Sequence, residues 1–325
     1  MRRREFMTFL GGAAVAWPLA ARAQQAGKIY RIGILEPIPA AQNAANLDAL
    51  RNGLRELGYI EGRNLIIEYR SADGRAERFP DLVSELVRLN VDLIVTRGTP
   101  AAVAAKNATR VIPVVMATMG GPGAIVASFA QPGSNITGMT TFSTELSAKR
   151  VEILKELVPS LSRVGLLHNM GNPAVPPEWE ETKTAARSLG IAAELLDVRS
   201  EGELGHAFEL SAQQHVDALV VGADGLTQLH QQTIVDLAAR YRLPAAYPGR
   251  EFVEAGGLIA YAVNYPGLYS RFATFVDKIF RGAQPNELPV EQPTKFELVI
   301  NAKTAKSLGL TIPPSLLVRA NEVIE

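Results

Sequence analysis

The chain has 325 residues, balances 33 Lys+Arg against 33 Asp+Glu, and contains no cysteine. At roughly 100–200 residues per domain this length predicts two domains, each with a hydrophobic core of its own. Balanced charge removes a broad electrostatic case for nucleic acid, and the missing thiol excludes disulfides, cysteine-held zinc, iron–sulfur clusters, a cysteine nucleophile and a lipid-anchoring cysteine.

Residues 1–23 read as an export signal. Arg2-Arg3-Arg4 forms the basic start, Phe6 to Ala20 is apolar and small, and Ala21-Arg22-Ala23 is a small-x-small cleavage site. Arg3-Arg4-Glu5-Phe6-Met7 resembles the twin-arginine motif. It departs from that motif at Arg2, where Ser or Thr is usual, and lacks a Lys after Met7. General secretion therefore stays open as the route. An uncleaved anchor is disfavoured, because a span needs about 20 apolar residues and Pro18 and Arg22 interrupt this run. Cleavage after Ala23 removes four arginines and one glutamate, leaving a net charge of about −3. The expected location is the periplasm.

Beyond Gln25 the pattern alternates. Ile29 to Leu35 is a strand candidate. Leu47, Leu50, Leu54 and Leu57 then mark a helix face, with Gly58 just past it. Leu65 to Tyr69 reads as a strand. Phe79, Leu82, Val83, Leu86 and Val87 form the next helical stripe. Val91 to Val95 and Val111 to Met116 are continuous apolar runs of the kind buried on both faces, with a short helix over about 99–107 between them. Ile136 to Thr141 completes the first series. The second series begins with a helix at about 144–157, followed by strands at Val164–Leu167, Ala193–Leu196, Ala218–Val221 and Pro244–Tyr247. Helices at about 177–189, 202–214 and 228–241 separate those strands. Alternation on this scale means βαβ units and parallel sheets, so the fold class is α/β with two similar lobes. Leu258 to Tyr265, the stripe Leu268, Phe272, Phe275, Val276, Ile279 and Phe280, and the strand Phe296 to Ile300 read as late returns into lobes already formed.

Much familiar chemistry is missing. His168, His206, His215 and His230 make no zinc-hydrolase pair, and there is no G-x-S-x-G elbow. Gly120-Gly121-Pro122-Gly123 lacks the ending of a phosphate loop. The first strand runs into Leu35-Glu36-Pro37 instead of G-x-G-x-x-G, which disfavours a dinucleotide there. No cofactor or metal is expected, and an acid–base enzyme remains a residual alternative.

In open α/β sheets, ligands bind beyond the carboxyl ends of the strands. Glu36 ends the first strand. Arg97-Gly98-Thr99-Pro100 follows the third, with Thr99 expected as N-cap and Pro100 as the first helical residue. This would aim free N–H groups and a positive helix end at a carboxylate. Thr118 and Thr141 fall on the same rim. From the second series His168, Asn169, Asp224, Tyr247 and Glu251 fall on the facing rim, and Asn264 falls near a later crossing. Asp224 or Glu251 could hold an ammonium group, and Tyr247 or Phe252 could stack on a flat ligand; Asp224-Gly225 also reads as a simple turn. Together these residues line a two-lobed clamp.

The chain resembles the periplasmic substrate-binding proteins of ABC transporters, in the family related to tryptophan/tyrosine-type binding components. Gly53 to Tyr59, Gly98 to Ala102, Pro132 to Gly138, Arg250 to Gly257, Leu288 to Asn301 and Leu310 to Leu317 carry the likeness. The resemblance implies a type I periplasmic-binding fold. Its two Rossmann-like lobes are joined by three crossings near 141–145, 263–267 and 290–295. One lobe would comprise 28–142 plus 266–290, and the other 143–265 plus 291–325. It further implies a non-catalytic carrier, expected as a monomer, that takes a small-molecule ligand, an amino acid or related carboxylate, to a membrane permease. Gly121-Pro122 stands where the family commonly has Asp-Pro; if that Asp touches ligand in relatives, the contact is lost here. A sensor docking on a receptor and an exported enzyme are the alternatives.

Overall fold

The computed structural model describes residues 28–118 and 125–325. The expected signal and cleavage site and the Gly121-Pro122 departure lie outside the described residues.

The first lobe is built from β1 (Tyr30–Glu36), α1 (Ala44–Glu56), β2 (Leu65–Ser71), α2 (Phe79–Arg88), β3 (Leu93–Arg97), α3 (Thr99–Ala108), β4 (Val114–Thr118) and β5 (Ile136–Thr140). Its five strands run parallel in the order β2-β1-β3-β4-β5. Every residue of β3, β4 and β5 is buried, as continuous apolar runs between two helical layers require. The expected strand from Val111 starts later, at Val114. Pro113 has no N–H to give a ladder, and Val111 is exposed.

The second lobe follows with α4 (Ser143–Leu157), β6 (Arg163–His168), α5 (Val175–Ser188), β7 (Ala192–Asp197), α6 (Leu204–Gln213), β8 (Ala218–Val221), α7 (Gly225–Leu229), α8 (Gln231–Arg240), β9 (Ala245–Tyr247), α9 (Arg250–Glu254) and β10 (Ile259–Val263). The helix expected over 228–241 is two helices meeting at His230, which ends α7 and starts α8. After α10 (Tyr265–Phe280) the chain adds β11 (Phe296–Asn301), α11 (Ala302–Ser307), α12 (Pro314–Arg319) and β12 (Glu322–Ile324). The second sheet has the order β12-β11-β10-β9-β8-β6-β7, and only β11 runs antiparallel to its neighbour β10. The short elements α9, α12 and β12 carry too few residues to show a periodicity.

Three passages link the sheets. The first lies at Thr141-Phe142, where Phe142 takes a left-handed conformation (φ +51°) that is costly for a bulky side chain. The second runs from β10 into α10, which packs on α1. Leu268, Phe272, Phe275, Val276 and Ile279 join Leu47, Leu50 and Leu54 in one core. In the third, residues 288–291 run beside β5 before the chain enters β11. Leu288 O accepts from Thr137 Oγ1 at 2.7 Å, Glu291 N donates to Gly138 O at 2.8 Å, and Glu291 O accepts from Thr140 N at 3.0 Å.

The α1–α10 seam depends on Gly53, where a Cβ would stand 2.8 Å from the Ala273 Cβ and 3.2 Å from the Ser270 carbonyl oxygen. A Gly53→Leu variant should lose about 2–3 kcal/mol, because overpacking a seam with no room forces the helices apart. Denaturant unfolding measures it; an unchanged midpoint would count against this tight contact.

Candidate functional site

Between the two sheets, at the carboxyl ends of their strands, lies a cavity enclosing about 550 Å3. The first lobe contributes Pro37, Ala72, Phe79, Arg97, Gly98, Pro100 and Ala117; the second contributes Asn172, Ala223, Asp224, Gly225 and Gln228. Thr141 and Tyr265 come from the crossings. The walls are mostly apolar, with a few convergent polar groups, the usual make-up of a small-molecule site.

Arg97 is the polar centre of the first wall. It ends β3 and is 5% exposed. Its Nε donates to Glu36 Oε2 at 2.9 Å, and the Tyr269 hydroxyl donates to Glu36 Oε1. Burial pushes the Glu36 carboxyl upward, while Arg97 and the Tyr269 hydroxyl oppose that shift. The Arg97 guanidinium stands 5.4 Å from the Tyr265 ring centroid, and its Nη2 is buried with no hydrogen-bond partner among the described residues. A buried donor left unbonded costs about 1–3 kcal/mol, so this atom marks a place where an acceptor is missing.

Beside Arg97, Gly98 caps α3. The Gly98 carbonyl accepts from Ala102 N at 3.2 Å, and Thr99 is the first helical residue. This corrects the expectation that Thr99 is the cap: the residue with φ +90° is the glycine, which has no Cβ to oppose it. The amino end of α3 therefore reaches the cavity through Gly98 and Pro100, while Thr99 is buried in the wall. Thr118 is also buried, and its carbonyl accepts from Thr141 N (2.9 Å) and Thr141 Oγ1 (3.3 Å). That fixes Thr141 on the rim.

Asp224 faces this wall from the second lobe. It caps α7, with Oδ1 accepting from Leu226 N at 2.9 Å and from Asn169 Nδ2 at 3.1 Å, and Oδ2 accepting from Asn172 Nδ2 at 2.9 Å. Asn169 thus acts through Asp224 and does not itself line this cavity. Across the mouth Gly225 approaches Pro37 so closely that a Cβ would stand 2.6 Å from the Pro37 Cβ. The lobes are shut against each other.

Five expected residues lie elsewhere. Tyr247 and Phe252 do not stack on the cleft: both are in the second lobe's core, against each other at 5.1 Å between ring centroids. His168 is buried behind the rim, and both its ring nitrogens lack partners among the described residues. Burial and then the Arg150 charge lower its pKa to about 4. Glu251 and Asn264 line a second interlobe cavity of about 970 Å3, together with Gln42, Asn46 and Gln231. Arg97, Gln228 and Tyr265 form walls of both cavities. Asn264 also caps α10, where its Oδ1 accepts from Gly267 N.

Phe79, Asn172, Gln228 and Tyr265 were not singled out by sequence. Asn172 follows a strand and Tyr265 sits at a crossing, so the strand-end rule could have reached both. Phe79 reads only as the start of a helical stripe, and Gln228 falls within an expected helix. Among the described residues no group of three or more His, Asp or Glu is placed to hold a metal, and no helix is long and apolar enough to cross a membrane.

The sequence profile described as ABC transporter substrate binding protein matches residues 31–324. The chain belongs to that family. It is a solute-binding family and not an enzyme family. A tyrosine-binding protein of Clostridioides difficile is 24% identical over 271 residues, 82% of this chain and 78% of that protein. A conserved domain protein from Vibrio cholerae is 27% identical with a TM-score of 0.85, covering 91% of this chain and 100% of that one. An ABC domain from Streptococcus pneumonia in complex with L-Trp is 28% identical with a TM-score of 0.84, covering 91% and 99%. The two lobes form the type I periplasmic-binding fold, and this substrate-binding chain has its cleft where such lobes meet.

Two outcomes follow from this geometry. Gly225→Ala adds a methyl group that suits a helix but strikes Pro37 when the lobes shut. Ligand affinity should fall roughly tenfold or more, the equivalent of at least about 1.4 kcal/mol, while the ligand-free protein melts no lower; calorimetry and melting curves separate the two. For His168, the unfolded chain takes up a proton near pH 6.5 that the folded state refuses until about pH 4. Stability is therefore lost as pH falls through that window, by up to roughly 3 kcal/mol. His168→Met should remove that loss. Equal acid sensitivity of the two proteins, in melting temperatures at pH 7 and pH 4.5, would refute it.

Proposed function

We propose that this chain captures an amino acid or a closely related small carboxylate with an aromatic body and delivers it to an ABC permease. One observation carries the reading: Arg97, whose Nη2 is buried and unbonded among the described residues, lines an apolar interlobe cavity that the Asp224 carboxylate also lines. The ligand carboxylate is assigned to Arg97 Nη2 and to the amino end of α3 at Gly98. Its ammonium is assigned to Asp224, and its ring lies between Phe79 and Tyr265. Thr141 contributes a hydroxyl, Glu36 orients Arg97, and Asn169 and Asn172 orient Asp224. The tyrosine-binding relative and the L-Trp complex support this ligand class.

In this proposal the protein is a periplasmic monomer, exported by its first 23 residues, and it performs no chemistry on what it carries. The lobes comprise 28–142 plus 266–290 and 143–265 plus 291–325. A ligand touching both walls holds them shut through contacts that the open form cannot make.

Ligand-stripped protein tested in a thermal-shift panel decides the class. An aromatic amino acid present at a hundred times its dissociation constant adds about 2.7 kcal/mol and should raise the melting temperature by roughly 5 °C. Arg97→Gln should abolish that shift. A response to sugars with none to amino acids or aromatic acids would sink the proposal.

A further inference from the structure

The second interlobe cavity is not needed by a single amino acid, yet it is joined to the first through two polar side chains that have hydrogen-bonding groups to spare among the described residues. Arg97 Nη2 is one. The other is the Gln228 amide, 6% exposed, which makes no side-chain hydrogen bond among the described residues. Both line the first and the second cavity. A guanidinium N–H donates, and a carboxamide both donates and accepts. A peptide unit, with an acceptor and a donor close together, suits both side chains.

The charges beyond that junction point the same way. Asp224, in the first cavity, already accepts from three donors. Glu251, in the second, makes no ion pair and no hydrogen bond to another residue's side chain among the described residues. It feels the Arg97 charge without bonding to it, and burial raises its carboxyl. A carboxylate in that position is better matched by an ammonium group than by water. The cavity is roomier than the first, with space for a second residue.

We propose that the cleft takes a dipeptide, with its carboxyl-terminal aromatic residue in the first cavity, its peptide unit at Arg97 and Gln228, and its amino terminus on Glu251. This rests on the amino-acid reading above and extends it: a single amino acid uses Asp224 for its ammonium, whereas the longer ligand reaches Glu251.

Calorimetry on the ligand-stripped protein with L-tyrosine, glycyl-L-tyrosine and N-acetyl-glycyl-L-tyrosine tests it. Glycyl-L-tyrosine should bind at least about tenfold tighter than L-tyrosine, and acetylation, which removes the ammonium, should abolish that gain. Glu251→Gln should lower the dipeptide's affinity about tenfold more than it lowers that of L-tyrosine. The acetylated ligand gives the answer without a variant, so a folding defect in Glu251→Gln does not blunt the test. Binding of L-tyrosine with no gain from the glycyl group, or an equal loss of both ligands in Glu251→Gln, would overturn the dipeptide proposal and leave the amino-acid reading standing. Failure of all three ligands to bind would overturn both.

Discussion

The Glu36–Arg97 ion pair is the interaction on which the cleft depends. Both charges are out of water, Glu36 fully and Arg97 to 5%. Isolated, each would cost several kcal/mol, which attraction and further hydrogen bonds offset only in good geometry. That geometry draws on three elements: Glu36 ends β1, Arg97 ends β3, and Tyr269 comes from α10, 233 positions beyond Glu36. The carboxylate is satisfied on both oxygens. The guanidinium is satisfied at Nε and unbonded at Nη2. The pair is thus anchored to the first lobe and open toward the second, which makes it part of the core and part of the site at once.

The same helix that brings Tyr269 also begins at the second crossing, so the floor of the cleft and the joint between the lobes share one element. The crossings are held by specific contacts. Arg271 on α10 grips Glu291 with two hydrogen bonds, at 2.7 and 2.5 Å. Phe142, strained in its left-handed conformation, lies edge-on to Phe296 at the start of β11. At the opposite end of the cleft the lobes meet through small residues. Gly225 fits under Pro37, and Gly74 fits against Leu229 with 2.8 Å between its would-be Cβ and the leucine methyl. Shutting the cleft is therefore a matter of packing at the lips and backbone geometry at the crossings, with the charges kept inside.

The rim rule pointed to residues that the fold brings to the cleft. Arg97, Gly98, Thr141 and Asp224 line the first cavity, and Glu251 and Asn264 line the second. The errors have physical causes. Tyr247 ends its strand, but strand residues alternate between faces, and its ring turns into the core against Phe252. His168 ends β6 and turns inward too, its ring pressed against Gly222, where a Cβ would stand 2.2 Å from Nδ1. Thr99 yields the cap position to Gly98, because the backbone there needs φ +90°. Knowing the end of a strand fixes position along the sheet and leaves direction undetermined.

The amino-acid order by itself determined the α/β class, the two series of strands and helices, and the rims that face each other. Those features follow from short-range periodicity and from strands buried on both faces. Its long family-like runs, such as Leu288 to Asn301, also carried the family, through likeness rather than chemistry. Tertiary structure alone decided that Tyr269 completes the Glu36–Arg97 pair, that β11 enters antiparallel, and that Gln228 and Tyr265 stand between two cavities. Each of these is a contact between segments far apart in the chain. Such contacts arise only once distant segments have packed, within one lobe for the first two and across the cleft for the third, so no local pattern of residues encodes them.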